Sequence, residues 1–113
     1  MANTFVNKKV DITSTSATTL YTVPSATPAV IKSILVSEDS GNADTITITL
    51  TDTDAAVFSL FKVKSISANG TSELLSATLI AEESEIIKVT AATANRLHVV
   101  LSALETKPRV VTS

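Results

Sequence analysis

One histidine and three groups of acids are the residues of this chain that could do chemistry. His98 is the sole imidazole and cysteine is absent. That removes a thiol nucleophile, a thiolate zinc site and any multi-histidine metal site, so a catalytic base would have to be built from one ring. Placed mid-strand on the face that also carries Arg96 and Ser102, His98 reads as a structural or interface residue. No serine lies in a Gly-x-Ser-x-Gly elbow, and a hydroxyl without a positioned base is not a nucleophile. Two glycines in the whole chain exclude a glycine-rich phosphate loop.

The acids lie in turns. Glu38, Asp39, Asn42 and Asp44 fall in one loop, and Asp52 and Asp54 in a second. Calcium takes several such oxygens at once, but neither spacing is that of an EF-hand, and Asp, Asn, Ser and Gly are ordinary turn residues. Solvated turns are the plainer reading, with a cation on the 38–44 loop as its competitor. Glu82, Glu83 and Glu85 form a third group, either a wet turn or one side of a charged contact. Asn69-Gly70-Thr71 fits a glycosylation sequon, but also a tight hairpin turn, the reading preferred here because no secretory signal is expected.

The elements that must hold these residues are strands. Residues 45–51 alternate Thr and Ile or Leu, placing Ile46, Ile48 and Leu50 on one face and Thr45, Thr47, Thr49 and Thr51 on the other. The apolar run 30–36 precedes them, and 29–50 reads as a β-hairpin about the polar 37–44 turn. Further strands are predicted at 18–23, closed by Pro24 and Pro28, and at 56–65, 73–80, 85–91 and 96–104. In 56–65 the two faces are poorly sorted, which fits a central strand or a bulge near Phe61. A short strand near 9–12 competes with a frayed end. Strands recurring every 10–15 residues predict an all-β, single antiparallel β-sandwich, immunoglobulin-like or jelly-roll-like, of seven to eight strands. Its expected divisions are an extended N-terminal arm (1–17), the sandwich domain (18–105) and a C-terminal tail (106–113).

Composition narrows the partners. The 113 residues are 44% hydrophobic but only 4% aromatic, with a formal charge of −2. A general nucleic-acid binder would carry a basic stripe and stacking aromatics. No apolar run approaches the roughly 18 residues of a membrane helix, and no apolar segment follows Lys8 and Lys9 as in a secretory signal. Neither nucleic acid nor membrane is therefore an expected partner, and no cofactor is required. One domain of this length buries about two-thirds of its unfolded surface without a staple.

The order of segments resembles a group of small tailed-bacteriophage virion proteins. The likeness is carried by Thr19-Leu20-Tyr21-Thr22-Val23-Pro24, Ala29-Val30-Ile31-Lys32-Ser33-Ile34-Leu35-Val36, the Asn69-Gly70 loop leading to Leu74-Leu75, Ile86-Ile87-Lys88-Val89 and Leu97-His98-Val99-Val100-Leu101-Ser102. It covers about residues 18–105. The chain departs from it at Glu83-Ser84, where a Gly-Asp turn is usual. The resemblance implies a compact β-sandwich that is a non-enzymatic virion component assembled in the host cytoplasm. A capsid decoration or cement protein is the first expectation and a neck or tail component the second. Its implied partners are the phage major capsid protein or neck and tail proteins, with a homo-oligomer, a trimer first, as the expected assembly.

The residue pattern is consistent with that reading, since strands with two apolar faces and arms with apolar tips suit subunit contacts. Expected contact residues are Phe5, Val6, Val10 and Ile12 of the N-terminal arm, Ile31, Val57 and Phe61 of the strands, and Arg109, Val110 and Val111 of the tail. The competing class is a carbohydrate- or ligand-binding sandwich. Scarce aromatics count against its sugar form, because Tyr21 is the only Tyr and there is no Trp for a sugar ring to stack on.

Overall fold

A computed structural model describes residues 2–107 of the chain, and these form two antiparallel sheets packed face to face. The strands are β1 (Ala2–Asp11), β2 (Thr18–Thr22), β3 (Ala29–Glu38), β4 (Asp44–Thr51), β5 (Val57–Ile66), β6 (Thr71–Glu73), β7 (Leu79–Ala81), β8 (Ile86–Ala91) and β9 (Leu97–Lys107). One sheet has the order β1-β9-β3, with β6 and β7 in tandem along the far side of β3. The other has the order β2-β8-β4-β5. The all-β sandwich expected from strand spacing is the observed fold. It has nine strands because 73–80 divides into β6 and β7 about a loop, and because residues 2–11 are a strand.

Alternation builds the core. On β4, Ile46 and Ile48 are fully buried, and on β8 and β9 the same holds for Ile87, Val89, Leu97, Val99 and Leu101. Each such aliphatic side chain contributes about 1.5–3 kcal/mol through its removal from water. On β3, Ala29 and Ile31 point inward, a bulge between Ile31 and Ser33 shifts the register by one, and Ile34, Val36 and Glu38 then point inward. The bulge explains an apolar run that follows neither period 2 nor period 3.6.

Sheet membership departs from the sequence reading in two places. Residues 29–50 are not a hairpin, since β3 pairs with β6, β7 and β9 while β4 pairs with β5 and β8. Residues 39–43 carry the chain from one sheet to the other. The Asn69-Gly70 turn likewise links β5 of one sheet to β6 of the other. Its geometry is the expected one: Asn69 has φ +56°, and the Gly70 amide donates to the Ser67 carbonyl at 2.9 Å. A Cβ on Gly70 would stand 3.0 Å from that carbonyl oxygen. The physical reason for both corrections is the same: the inward face of a strand is buried by the opposite layer whichever sheet the strand joins, so alternation does not tell a hairpin from a crossing.

β5 is an edge strand and not a central one. Two register shifts opposite Ile46, Ile48 and Thr49 bracket Phe61, where a bulge was expected. Val63 sits in one of them at φ +51°, a conformation that costs a β-branched residue about 1–2 kcal/mol. Its amide donates to Thr47 Oγ1 at 3.0 Å instead of to the ladder.

The N-terminal arm is also corrected. β1 pairs with β9 in ten consecutive registers, from Ala2 opposite Lys107 to Asp11 opposite His98. Ile12 then exchanges backbone bonds with Leu97 and Asn95 and is fully buried. β9 runs on to Lys107, so Glu105, expected near the exit from the fold, lies inside it.

Candidate assembly surface

The acids serve the chain's own backbone. Glu38 is 2% exposed at the end of β3. Its Oε1 accepts from the amides of Gly41, Asn42 and Asn69 at 3.0–3.1 Å, and its Oε2 from the Ser40 amide at 2.8 Å and the Ser40 hydroxyl. Burial raises the pKa of this carboxyl, but the Ser40 hydroxyl and the Asn69, Ser40 and Gly41 amides outweigh it and hold it at about 2. Both loops that cross between sheets at this end are thus fastened to one carboxylate. A cation on the 38–44 loop would compete with five donors for Glu38. Asp44 accepts from the Thr45 and Thr93 amides, and Asp52 from those of Asp54 and Ala56. In the Glu82–Glu85 turn, Glu83 accepts from the Ala26 amide and Glu85 from the Glu82 amide.

A second buried carboxylate ties the sheets together at the opposite end. Tyr21 of β2 donates its hydroxyl to Glu105 Oε2 of β9 at 2.6 Å. Burial, then this bond and the Glu105 charge, push the phenol above its ordinary range. Lys8, pointing inward from the edge strand, places its Nζ 5.8 Å from the centre of the Tyr21 ring.

His98 faces outward between two carboxylates, with Nε2 3.1 Å from Asp11 Oδ1 and Nδ1 3.6 Å from Asp39 Oδ2. The sequence reading placed His98 on an outer strand face but missed both acids, which β1 and the 39–43 crossing bring from far along the chain.

Of the expected contact residues, Phe5 and Val57 are at the surface, 78% and 61% exposed. Val6 and Val10 are partly buried against the core, as is Phe61. Ile12 and Ile31 are fully buried, and they are corrected to core positions. On β1 the even positions turn inward, opposite Ala103 and Val99, which leaves Phe5 as the outward apolar residue. Arg109, Val110 and Val111 lie outside the described residues.

Register reveals a surface that sequence reading missed. Residues directly opposite in antiparallel strands share a face. On the outer face of the five-stranded sheet, Ile80, Val30, Leu104 and Phe5 stand opposite one another in turn across β7, β3, β9 and β1. This apolar row crosses four strands, with Ile80 58% and Phe5 78% exposed at its ends. The next row, Ser33, Ser102 and Asn7, is polar. Beyond it, Glu73, Leu35, Val100 and Lys9 form a row with an acid at one edge and a base at the other. Thr71, Ser37, His98 and Asp11 make the last. Each of these residues is visible in the sequence, but their alignment depends on pairing between residues about 35 to 100 positions apart, which no local pattern carries. No protein-family model matches the chain, and no curated protein matches it.

Proposed function

We propose that this chain is a non-enzymatic virion structural protein of a tailed phage, a decoration or cement protein that stabilises the head through contacts with the major capsid protein and with its own copies. One observation supports this reading above the others: the apolar row of Ile80, Val30, Leu104 and Phe5 stands on a sheet face that the rest of the described chain leaves open. An apolar row across four strands is the chemistry of a protein contact, whereas the turn acids Glu38, Asp44, Asp52, Glu83 and Glu85 accept from the chain's own amides. The segment order shared with small phage virion proteins points the same way.

The test is to band phage particles from a lysate of the source strain on a density gradient and probe them with an antibody against the chain. Co-banding with full heads, with gold label over the capsid, is the expected result. Label confined to the neck or tail would move the protein to that position. Recovery only in the soluble fraction would overturn the reading.

A further inference from the structure

We infer that the outer face of the five-stranded sheet is a self-complementary surface whose occupant is a second copy of this chain, related by a two-fold axis parallel to the strands. This rests on the reading of that face as an assembly surface and names its partner. A two-fold axis lying between two such faces, midway between β3 and β9, reverses every row onto itself. In the apolar row, Phe5 then meets Ile80 of the second copy and Leu104 meets Val30. In the third row, Leu35 meets Val100 and Lys9 meets Glu73, twice over by symmetry.

Charge complementarity selects this occupant. Lys9 donates to Asn7 Oδ1 and Glu73 accepts from the Ser33 hydroxyl and the Ile34 and Leu75 amides, and among the described residues the ion pairs all involve His98, so neither has an opposite charge within reach there. They stand at opposite edges of one row, the arrangement in which reversal converts a separated acid and base into two intermolecular pairs. An axis perpendicular to the sheet would not stack the faces at all. One parallel to the rows would set the apolar row against a different row unless it lay along the apolar row itself. It would then place Phe5 on Phe5 and leave Lys9 and Glu73 without each other.

Extent agrees with this. Four strands at about 4.8 Å and ten residues at about 3.3 Å give a face of roughly 19 by 33 Å, on the order of 600 Å² in plane. A standard interface takes about 800 Å² of accessible surface from each partner, and side-chain relief raises the accessible area of a face above its plane. Stacked sheets pack about 10 Å apart with strands nearly aligned, which a two-fold along the strands permits. A pair is thus the alternative to the trimer that the resemblance implied, and the oligomeric mass separates them.

Light scattering after size exclusion at about 100 μM, where a micromolar Kd gives mostly dimer, should return twice the 11.8 kDa chain mass. Phe5→Lys and Ile80→Glu, at exposed positions that make no side-chain hydrogen bonds, should each shift the protein to monomer. The double variant should restore the dimer by placing the new charges against each other. Lys9→Glu should weaken association about tenfold, more so at low salt. A wild-type monomer or trimer, a Phe5→Lys protein that stays dimeric, or a double variant that stays monomeric would overturn the inference. Because particle binding is scored separately, a chain that co-bands with heads yet is monomeric in solution would sink the pair and leave the virion reading standing.

Discussion

The outer faces of the two sheets differ most along their central strands. The four-stranded sheet presents Thr45, Thr47, Thr49 and Thr51 of β4 beside Thr90 and Lys88 of β8, with Ile86 and Val57 on either side of Thr51 and with Val57, Phe58 and Val63 of its edge strand exposed. Its edge strand β5 is broken by two bulges and a positive φ at Val63, devices that discourage another strand from adding. The five-stranded sheet exposes an apolar row instead, and its edge strand β1 pairs without one register shift. The difference lies in edges and central strands: β5 is bulged and the β4 beside it carries hydroxyls, whereas β1 is paired without interruption and the row that crosses it is apolar.

This contrast can be broken most severely from within, at the carboxylate that fastens both crossing loops. Glu38→Ala leaves the amides of Gly41, Asn42 and Asn69 without their acceptor, and a fall in melting temperature on the order of 10 °C is expected by calorimetry. The same group sets an acid limit. Its folded pKa, about 2, lies below the ordinary value of 4.5. The unfolded chain therefore binds the proton first as pH falls. Its stabilisation is present above pH 4.5 and is lost between there and pH 2, a dependence that Glu38→Gln should flatten in acid titrations followed by circular dichroism. Glu73, also held low by the Ser33 hydroxyl and the amides of Ile34 and Leu75 against the effect of burial, adds in the same direction.

A smaller loss is expected at the cross-sheet bond. Tyr21→Phe removes the phenol that meets Glu105 and should cost about 2 kcal/mol in urea unfolding, because the carboxylate stays buried without its donor. At the blunted edge the sign reverses. Val63→Gly relieves the left-handed backbone of a β-branched residue and should raise stability by about 1 kcal/mol. The smallest effect sharpens the comparison of faces. Thr49→Glu, opposite Lys88 on the outer face of the other sheet, should change stability by under about 0.5 kcal/mol and leave the oligomeric mass unchanged, whereas Phe5→Lys should alter that mass without unfolding the chain.

Much of the fold is legible in the chain. Thr45 to Thr51 alternate so regularly that the buried face of β4 can be assigned residue by residue, and of the two readings that the unsorted faces of residues 56–65 allow, the bulge near Phe61 is the one observed. What the pattern does not carry is which sheet a strand joins. Ile31 and Ile46 are equally buried whether their strands lie side by side or face each other across the core, so the supposed hairpin became a crossing. Of the apolar row on the five-stranded sheet, only Phe5 was legible in the sequence; Val57, also expected at the surface and exposed, lies on the other sheet. Val30, Leu104 and Ile80 are ordinary strand residues until the register places them beside Phe5, and Ile12 and Ile31 were drawn to the surface because an apolar residue in a short segment carries no label for inside or out.

The pairing of the first strand with the last has a consequence for how the molecule forms. Of the connections between long strands, only β4 to β5 joins neighbours in one sheet. Local contacts therefore reward very little of the chain, and β1 has no partner until β9 has been made. Relative contact order is high, which places folding in the millisecond-to-second range typical of sandwiches. Throughout that interval β1 and the apolar face beside it stand open, and newly made copies at high concentration would meet one another before either had closed its own sheet.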